Sequence, residues 1–187
     1  TGATLANAGT YAVRVSAGTA EVWSVPVQVG VGVPLPVVNG VEPLEQVRGV
    51  GEAVVVNGSV SGVGTLGYRW LRNGAVVAGA SGPVLSLMNA GLGDNGEYVL
   101  EAMNEAGTVA SAPVRVNVLG ITGQPSPLNL AWGGSGALVV GATAGTAPVA
   151  YQWARNGVPV VGGTQSALGI TGATLANAGT YAVRVSA

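Results

Sequence analysis

Valine, leucine, tyrosine and tryptophan alternate with polar or small residues along most of this chain, and a period of two predicts strands rather than helices. Tyr11, Val13 and Val15 form one such series after the turn Asn7-Ala-Gly-Thr-Tyr11, and Val25, Val27, Val29 and Val31 form another. Two strands make no stable module alone, so residues 1–33 read as the closing part of a domain. Val33-Pro34-Leu35-Pro36 then predicts a short stiff linker, because proline fixes φ and donates nothing to a ladder.

Residues 37–118 carry a complete set of strand signals. A first strand lies near Val41 to Val47, and a second, Ala53 to Ser59, turns Val54 and Val56 inward. A third, Gly67 to Arg72, holds Tyr68 and Trp70 and closes on Asn73-Gly74, a strong hairpin signal because both residues tolerate positive φ. Val76-Val77, Val84 to Leu87, Tyr98 to Met103 and Val109 to Val118 complete the series. Seven short strands with frequent turns predict a β-sandwich.

The series then restarts. Tyr151-Gln152-Trp153 followed by Asn156-Gly157 matches Tyr68-Arg69-Trp70 followed by Asn73-Gly74 at an offset of 83, and Tyr181 matches Tyr98 at the same offset. In the other direction Tyr11, Pro26, Val27 and Val31 match Tyr98, Pro113, Val114 and Val118 at an offset of 87. The two offsets make a period of 170, and the seventeen residues Thr1 to Ala17 recur unchanged as Thr171 to Ala187. A fixed period of this kind is the signature of a repeat array. Two domain types alternate: 1–33 closes a domain of type B, 34–118 is a complete domain of type A, and 119–187 opens the next type B. Leu119 to Pro125 is expected to be a second stiff linker.

Composition narrows the chemistry. Thirty-two glycines, no Phe, and no Cys or His describe an all-β chain whose units, about 85 residues each, draw on neither disulfide nor metal. Seven Arg and eight acidic residues leave a net charge of −1, so the clustered cations that nucleic acid requires are missing. Residues 116–154 carry no charge, but Gly, Pro, Asn and Gln interrupt them, and no apolar run of about twenty residues predicts a membrane span.

Trp70 and Trp153 on the third strand, the Asn-Gly turn after each, and Asp94-Asn-Gly96-Glu-Tyr98 carry a family likeness. The chain resembles the immunoglobulin-like fold, especially the disulfide-free immunoglobulin-like tandem repeats of large bacterial surface or extracellular proteins. The resemblance implies an all-β architecture of tandem sandwiches, each domain built of about seven strands in two antiparallel sheets. It implies strands F and G in 1–33 and strands A to F in 119–187. Trp70 and Trp153 become core pins, and Tyr98, Tyr181 and Tyr11 become tyrosine corners within the structural core. The positions of the family's paired cysteines correspond to Val54 or Val56 with Leu100, and to Ala137 or Val139 with Val183, so hydrocarbon replaces the bridge. Asn177 stands where the other unit has Asp94, and still offers a side-chain bond to the turn.

Catalysis finds no footing. Without His, Cys or Lys there is no Ser-His triad, thiolate, Schiff base or conventional zinc site, and one Asp among scattered Glu makes no calcium cage. No enzyme, cofactor or metal is expected. Glu97 and Glu101 lie on one strand face about 13 Å apart, and Arg69 and Arg115 beside them predict cross-strand ion pairs. Asn57-Gly58-Ser59 matches the glycosylation sequon but falls mid-strand and reads as chance. Trp23 and Trp132 lie outside the core pattern, on strands that run side by side in such folds, and form a candidate contact patch. The expected role is a passive structural repeat of an extracellular or cell-surface fibre or stalk, partnered by neighbouring copies of itself through head-to-tail continuation or strand complementation. The alternative is an adhesin whose Trp23 and Trp132 contact carbohydrate or a cell-surface protein.

Overall fold

The computed structural model describes residues 2–187. Its first part is a bare hairpin: β1 (Gly9–Tyr11) and β2 (Arg14–Ala17) lie antiparallel to β4 (Val27–Val29) and β3 (Ala20–Trp23) respectively. The turn between β2 and β3 is Gly18-Thr19, with Gly18 at φ +61. No residue from 2 to 33 is buried. Tyr11, expected in a core, is 52% exposed, because the ladder beside it is one strand thick and nothing covers its face.

The middle part is a closed sandwich of β5 (Val37–Glu42), β6 (Glu45–Gly49), β7 (Val54–Ser61), β8 (Gly67–Arg72), β9 (Ala75–Val76), β10 (Val84–Leu87), β11 (Gly96–Asn104), β12 (Gly107–Ala110) and β13 (Val114–Gly123). One sheet runs β10-β7-β5. The other runs β9-β8-β11-β13, with β12 also on β11 and β6 parallel to β13. The strand expected near Val41 to Val47 is thus two strands in different sheets, changing over at Pro43-Leu44. The last expected strand also divides, at Ser111 to Pro113, where proline cannot donate to the ladder. Asn73 and Gly74 take φ +48 and +83, the twisted two-residue turn that the sequence predicts. Alternation places Val54, Val56, Trp70, Leu100, Val114, Val116 and Val118 wholly inside, a core of mostly β-branched side chains suited to a pleated surface.

The last part repeats this design without its final strand. Here β14 (Gly136–Val139) pairs with β18 (Ala167–Ile170), and β16 (Ala150–Arg155) lies between β17 (Val158–Pro159) and β19 (Tyr181–Ser186). Its core is small, with Leu138, Val140 and Trp153 buried. Ala137 and Val139, the expected inward pair, are exposed instead. Leu138 pairs with Leu168 where Val56 pairs with Leu85, so this strand is offset by 82 rather than 83, and a slip of one residue exchanges the two faces.

The expected linker at Leu119 to Pro125 is strand as far as Gly123. The start of β13 belongs to the middle sandwich, and its end pairs Gly120 with Thr143 and Ile121 with Ala142 on β15 (Gly141–Thr143) of the last part. One strand therefore serves two sandwiches. Asn117, 1% exposed, locks the joint: its Oδ1 accepts from the Thr146 N–H at 3.0 Å and from Thr146 Oγ1 at 3.2 Å, and its Nδ2 donates to Glu45 Oε1 at 3.1 Å. At the other joint, Asn104 Nδ2 donates to the Pro34 carbonyl at 2.7 Å and to the Val63 carbonyl at 3.1 Å.

Candidate functional site

Each of the three tyrosines forms the same corner. Tyr98 Oη donates to the Asp94 carbonyl at 2.9 Å, Tyr181 Oη to that of Asn177 at 2.8 Å, and Tyr11 Oη to that of Asn7 at 2.9 Å. Before each lies a short 3-10 turn, held where Asp94 Oδ2 accepts the Gly91 N–H and Asn177 Oδ1 accepts the Thr174 N–H, both at 2.9 Å. Asn7 accepts the Thr4 N–H in the first hairpin. The corner is a local device that four to eight residues specify, so it forms even in the hairpin that lacks a core.

Only Tyr98 is fully buried among the three. Burial pushes its phenol above the ordinary tyrosine value, against the opposing influence of Arg72. The folded state therefore holds this proton more tightly than the unfolded chain does. The contribution is complete below about pH 10 and is lost as pH rises through the folded-state value. Thermal unfolding should accordingly show a midpoint that falls above about pH 10, with a shallower fall in Tyr98→Phe. At neutral pH that substitution should cost about 1 kcal/mol by removing the bond to Asp94, whereas Tyr11→Phe should stay within about 0.5 kcal/mol.

Trp70 and Trp153 are both 0% exposed, and their indole N–H groups donate to the carbonyls of Gly82 at 3.2 Å and Gln165 at 2.9 Å. Trp23 and Trp132 are 65% and 76% exposed. Trp23 stands on β3 opposite Arg14, whose guanidinium lies 5.8 Å from the ring centroid and bonds Glu21 at 3.2 Å. Trp132 stands at the rim of a cleft of about 670 Å³ in the last part, lined wholly by residues 125–181. The patch expected from side-by-side strands of one unit pairs two indoles that stand here in different parts of the chain, Trp23 in the first hairpin and Trp132 in the last part. Glu97 and Glu101 bind Arg115 and Arg69 across the sheet, which leaves no free carboxylate pair on that face.

The two identical segments differ in their neighbours. In the middle sandwich β11 has β8 on one side, Trp70 opposite Leu100, and β12 with β13 on the other, Tyr98 opposite Val114. Residues 171–187 have only the first kind of neighbour, with Trp153 opposite Val183. Residues 2–17 have only the second kind, with Tyr11 opposite Val27 and Arg14 opposite Trp23. The open edge of one copy is the occupied edge of the other. The cleft marks that edge: Leu128, Leu130, Leu138, Ile170, Leu175 and Tyr181 line it, and no strand among the described residues runs along the outer side of β19.

No protein-family model matches this chain, and no curated protein matches it. Among solved structures, an I-band fragment from titin superposes with a TM-score of 0.62 at 19% identity, covering 99% of this chain and 71% of that one. An E-to-A variant of the same titin domains gives 0.62 at 18%, with the same coverage. The N-terminal four Ig domains of a Dscam1 isoform give 0.53 at 18%, covering 81% of this chain and 42% of that one. The fold is that of tandem immunoglobulin-like β-sandwiches, all-β and without a disulfide. Among the described residues no helix is long and apolar enough to cross a membrane.

Proposed function

We propose that this chain is a non-catalytic structural repeat of an elongated extracellular fibre, stalk or surface protein of bacterial type, in which two immunoglobulin-like units alternate head to tail. The observation that carries this reading is β13, a single strand hydrogen-bonded into two successive sandwiches and locked by Asn117 and Thr146. A shared strand leaves little slack between units and passes tension from one sheet directly to the next. Sparse charge, the absence of His, Cys and Lys, and ion-paired carboxylates give such a chain stability without reactive groups. The adhesin reading rests on the two exposed indoles, Trp23 and Trp132.

A polyprotein of several linked 170-residue periods, stretched one molecule at a time, tests the reading. Each unit should unfold as a separate event releasing roughly 85 residues, on the order of 300 Å at ~3.3–3.6 Å per residue. Events of two strengths should occur in equal number, one for each unit type. Extension without discrete events would refute it.

A further inference from the structure

We infer that Asn39-Gly40, on the edge of the middle sandwich, is a self-modifying site, where the asparagine amide converts to aspartate and isoaspartate while the chain stays folded. The inference is independent of the repeat reading and adds a covalent chemistry to it.

Asn-Gly is the dipeptide in which this conversion is least hindered, because glycine sets no side chain in the way as its nitrogen approaches the asparagine Cγ. The chain holds five such pairs, beginning at Asn39, Asn57, Asn73, Asn95 and Asn156. The fold restrains four of them. Asn73 Oδ1 accepts the Glu97 N–H at 2.9 Å and Asn156 Oδ1 accepts the Thr180 N–H at 2.8 Å, so both amides are turned onto a neighbouring strand. Asn95 is held through both atoms, Oδ1 by the Val118 N–H at 2.6 Å and Nδ2 by the Leu92 carbonyl at 2.7 Å. At Asn57 the nucleophile is the restrained partner: the Gly58 N–H donates to the Pro83 carbonyl at 2.9 Å, and β7 has a strand on each side.

Asn39 escapes these restraints. Val38 pairs with Val60 and Gly40 with Ser59, which makes Asn39 the extra residue of a bulge, with no partner on β7. Strand β5 is the edge of its sheet. The Asn39 side chain is exposed, and its amide lies 3.4 Å from Ser61 Oγ, beyond the ordinary hydrogen-bond range. Local opening costs little at such a place. Packing does not explain the glycine either, since its φ lies outside the left-handed region and a Cβ would meet no atom within 4 Å. The other four glycines have structural causes. Gly74 and Gly157 take φ +83 and +80, and a Cβ on Gly58 or Gly96 would stand 2.3 Å from Leu100 or 2.7 Å from Asn73.

The chemistry needs only water. The Gly40 nitrogen loses its proton and bonds Asn39 Cγ, the Cγ–Nδ2 bond breaks, and ammonia leaves with the proton. Water then opens the succinimide. Attack at Cγ gives aspartate, and attack at the Asn39 backbone carbonyl carbon gives isoaspartate, whose main chain runs through Cβ and Cγ. Nothing is oxidised or reduced. Either product adds one negative charge to the net −1 of the chain, beside a strand whose outward residues Val55, Asn57, Ser59 and Ser61 are uncharged.

Peptide mapping of the full chain, stored folded in mildly alkaline buffer, reads the mass gain of O replacing NH at each of the five pairs. Asn39 should convert at least about tenfold faster than the other four, a barrier lower by about 1.4 kcal/mol. In concentrated urea the five rates should converge, because the restraints are gone and the dipeptide is the same. Gly40→Ala should slow conversion at Asn39 at least about tenfold, with the circular dichroism of the fold unchanged, since the new Cβ enters open space. Equal rates in the folded chain, earlier conversion at any of the other four pairs, a lead of Asn39 that persists in urea, or conversion indifferent to Gly40→Ala would each overturn the inference.

Discussion

Trp70→Ala should cost the middle sandwich about 3–5 kcal/mol, a large part of the roughly 5–15 kcal/mol that holds a domain folded. The indole is wholly buried against Val54, Val56, Leu85 and Leu100 in one cluster, and its N–H is satisfied by the Gly82 carbonyl. Truncation removes the largest buried side chain and leaves that carbonyl without its donor. The pleated walls cannot collapse into the space, because both sheets are fixed by ladders on every side. Chemical denaturation followed by circular dichroism should show the middle transition move to much lower denaturant. Trp153→Ala should instead act on the last part alone. Coincident shifts in both variants would mean that the sandwiches unfold as one unit, not as separate domains.

Gly145→Val should convert the joint between the middle sandwich and the last part from a fixed angle to a hinge. Gly145 adopts φ +59, where a side chain costs roughly 1–2 kcal/mol. A Cβ there would also stand 2.5 Å from Asn117 Oδ1 and 2.7 Å from Asn95 Oδ1. Those two oxygens cannot simply turn away, since one accepts the Thr146 N–H and the other the Val118 N–H at 2.6 Å. Relief of the clash must break one of these bonds, at about 1–3 kcal/mol for a buried group left unpaired. Small-angle scattering should register a broader distribution of interdomain distances, with the unfolding midpoint of the middle sandwich nearly unchanged. An unaltered scattering profile would show that the shared strand alone holds the angle.

Much of this fold is legible in the sequence because its signals are local. Asn73-Gly74 fixes a hairpin through φ, Asp94 to Tyr98 fixes a corner through bonds spanning four residues, and Val54 and Val56 announce an inward face through alternation. What local signals cannot supply is the identity of neighbours. Tyr11 and Tyr181 sit in identical sequences, yet one is half exposed and the other packs on Trp153 and its cluster, because burial depends on the strands alongside. The misassignment of Ala137 and Val139 has a similar origin: one extra residue lies between this strand and Trp153, compared with the stretch from Val56 to Trp70, and an offset taken from Trp153 does not detect that insertion. The continuation of β13 through Gly123 was hidden by Leu119 to Pro125, where proline at the end of the segment suggested a linker along its whole length.

The central claim, that this chain is one period of a stiff array of immunoglobulin-like sandwiches, is tested most directly by small-angle scattering of polypeptides holding one, two and three linked periods of 170 residues. The account predicts a maximum dimension that grows by the same increment with each added period and a cross-sectional radius that stays constant. Growth that falls off with each period, accompanied by a thickening cross-section, would contradict it.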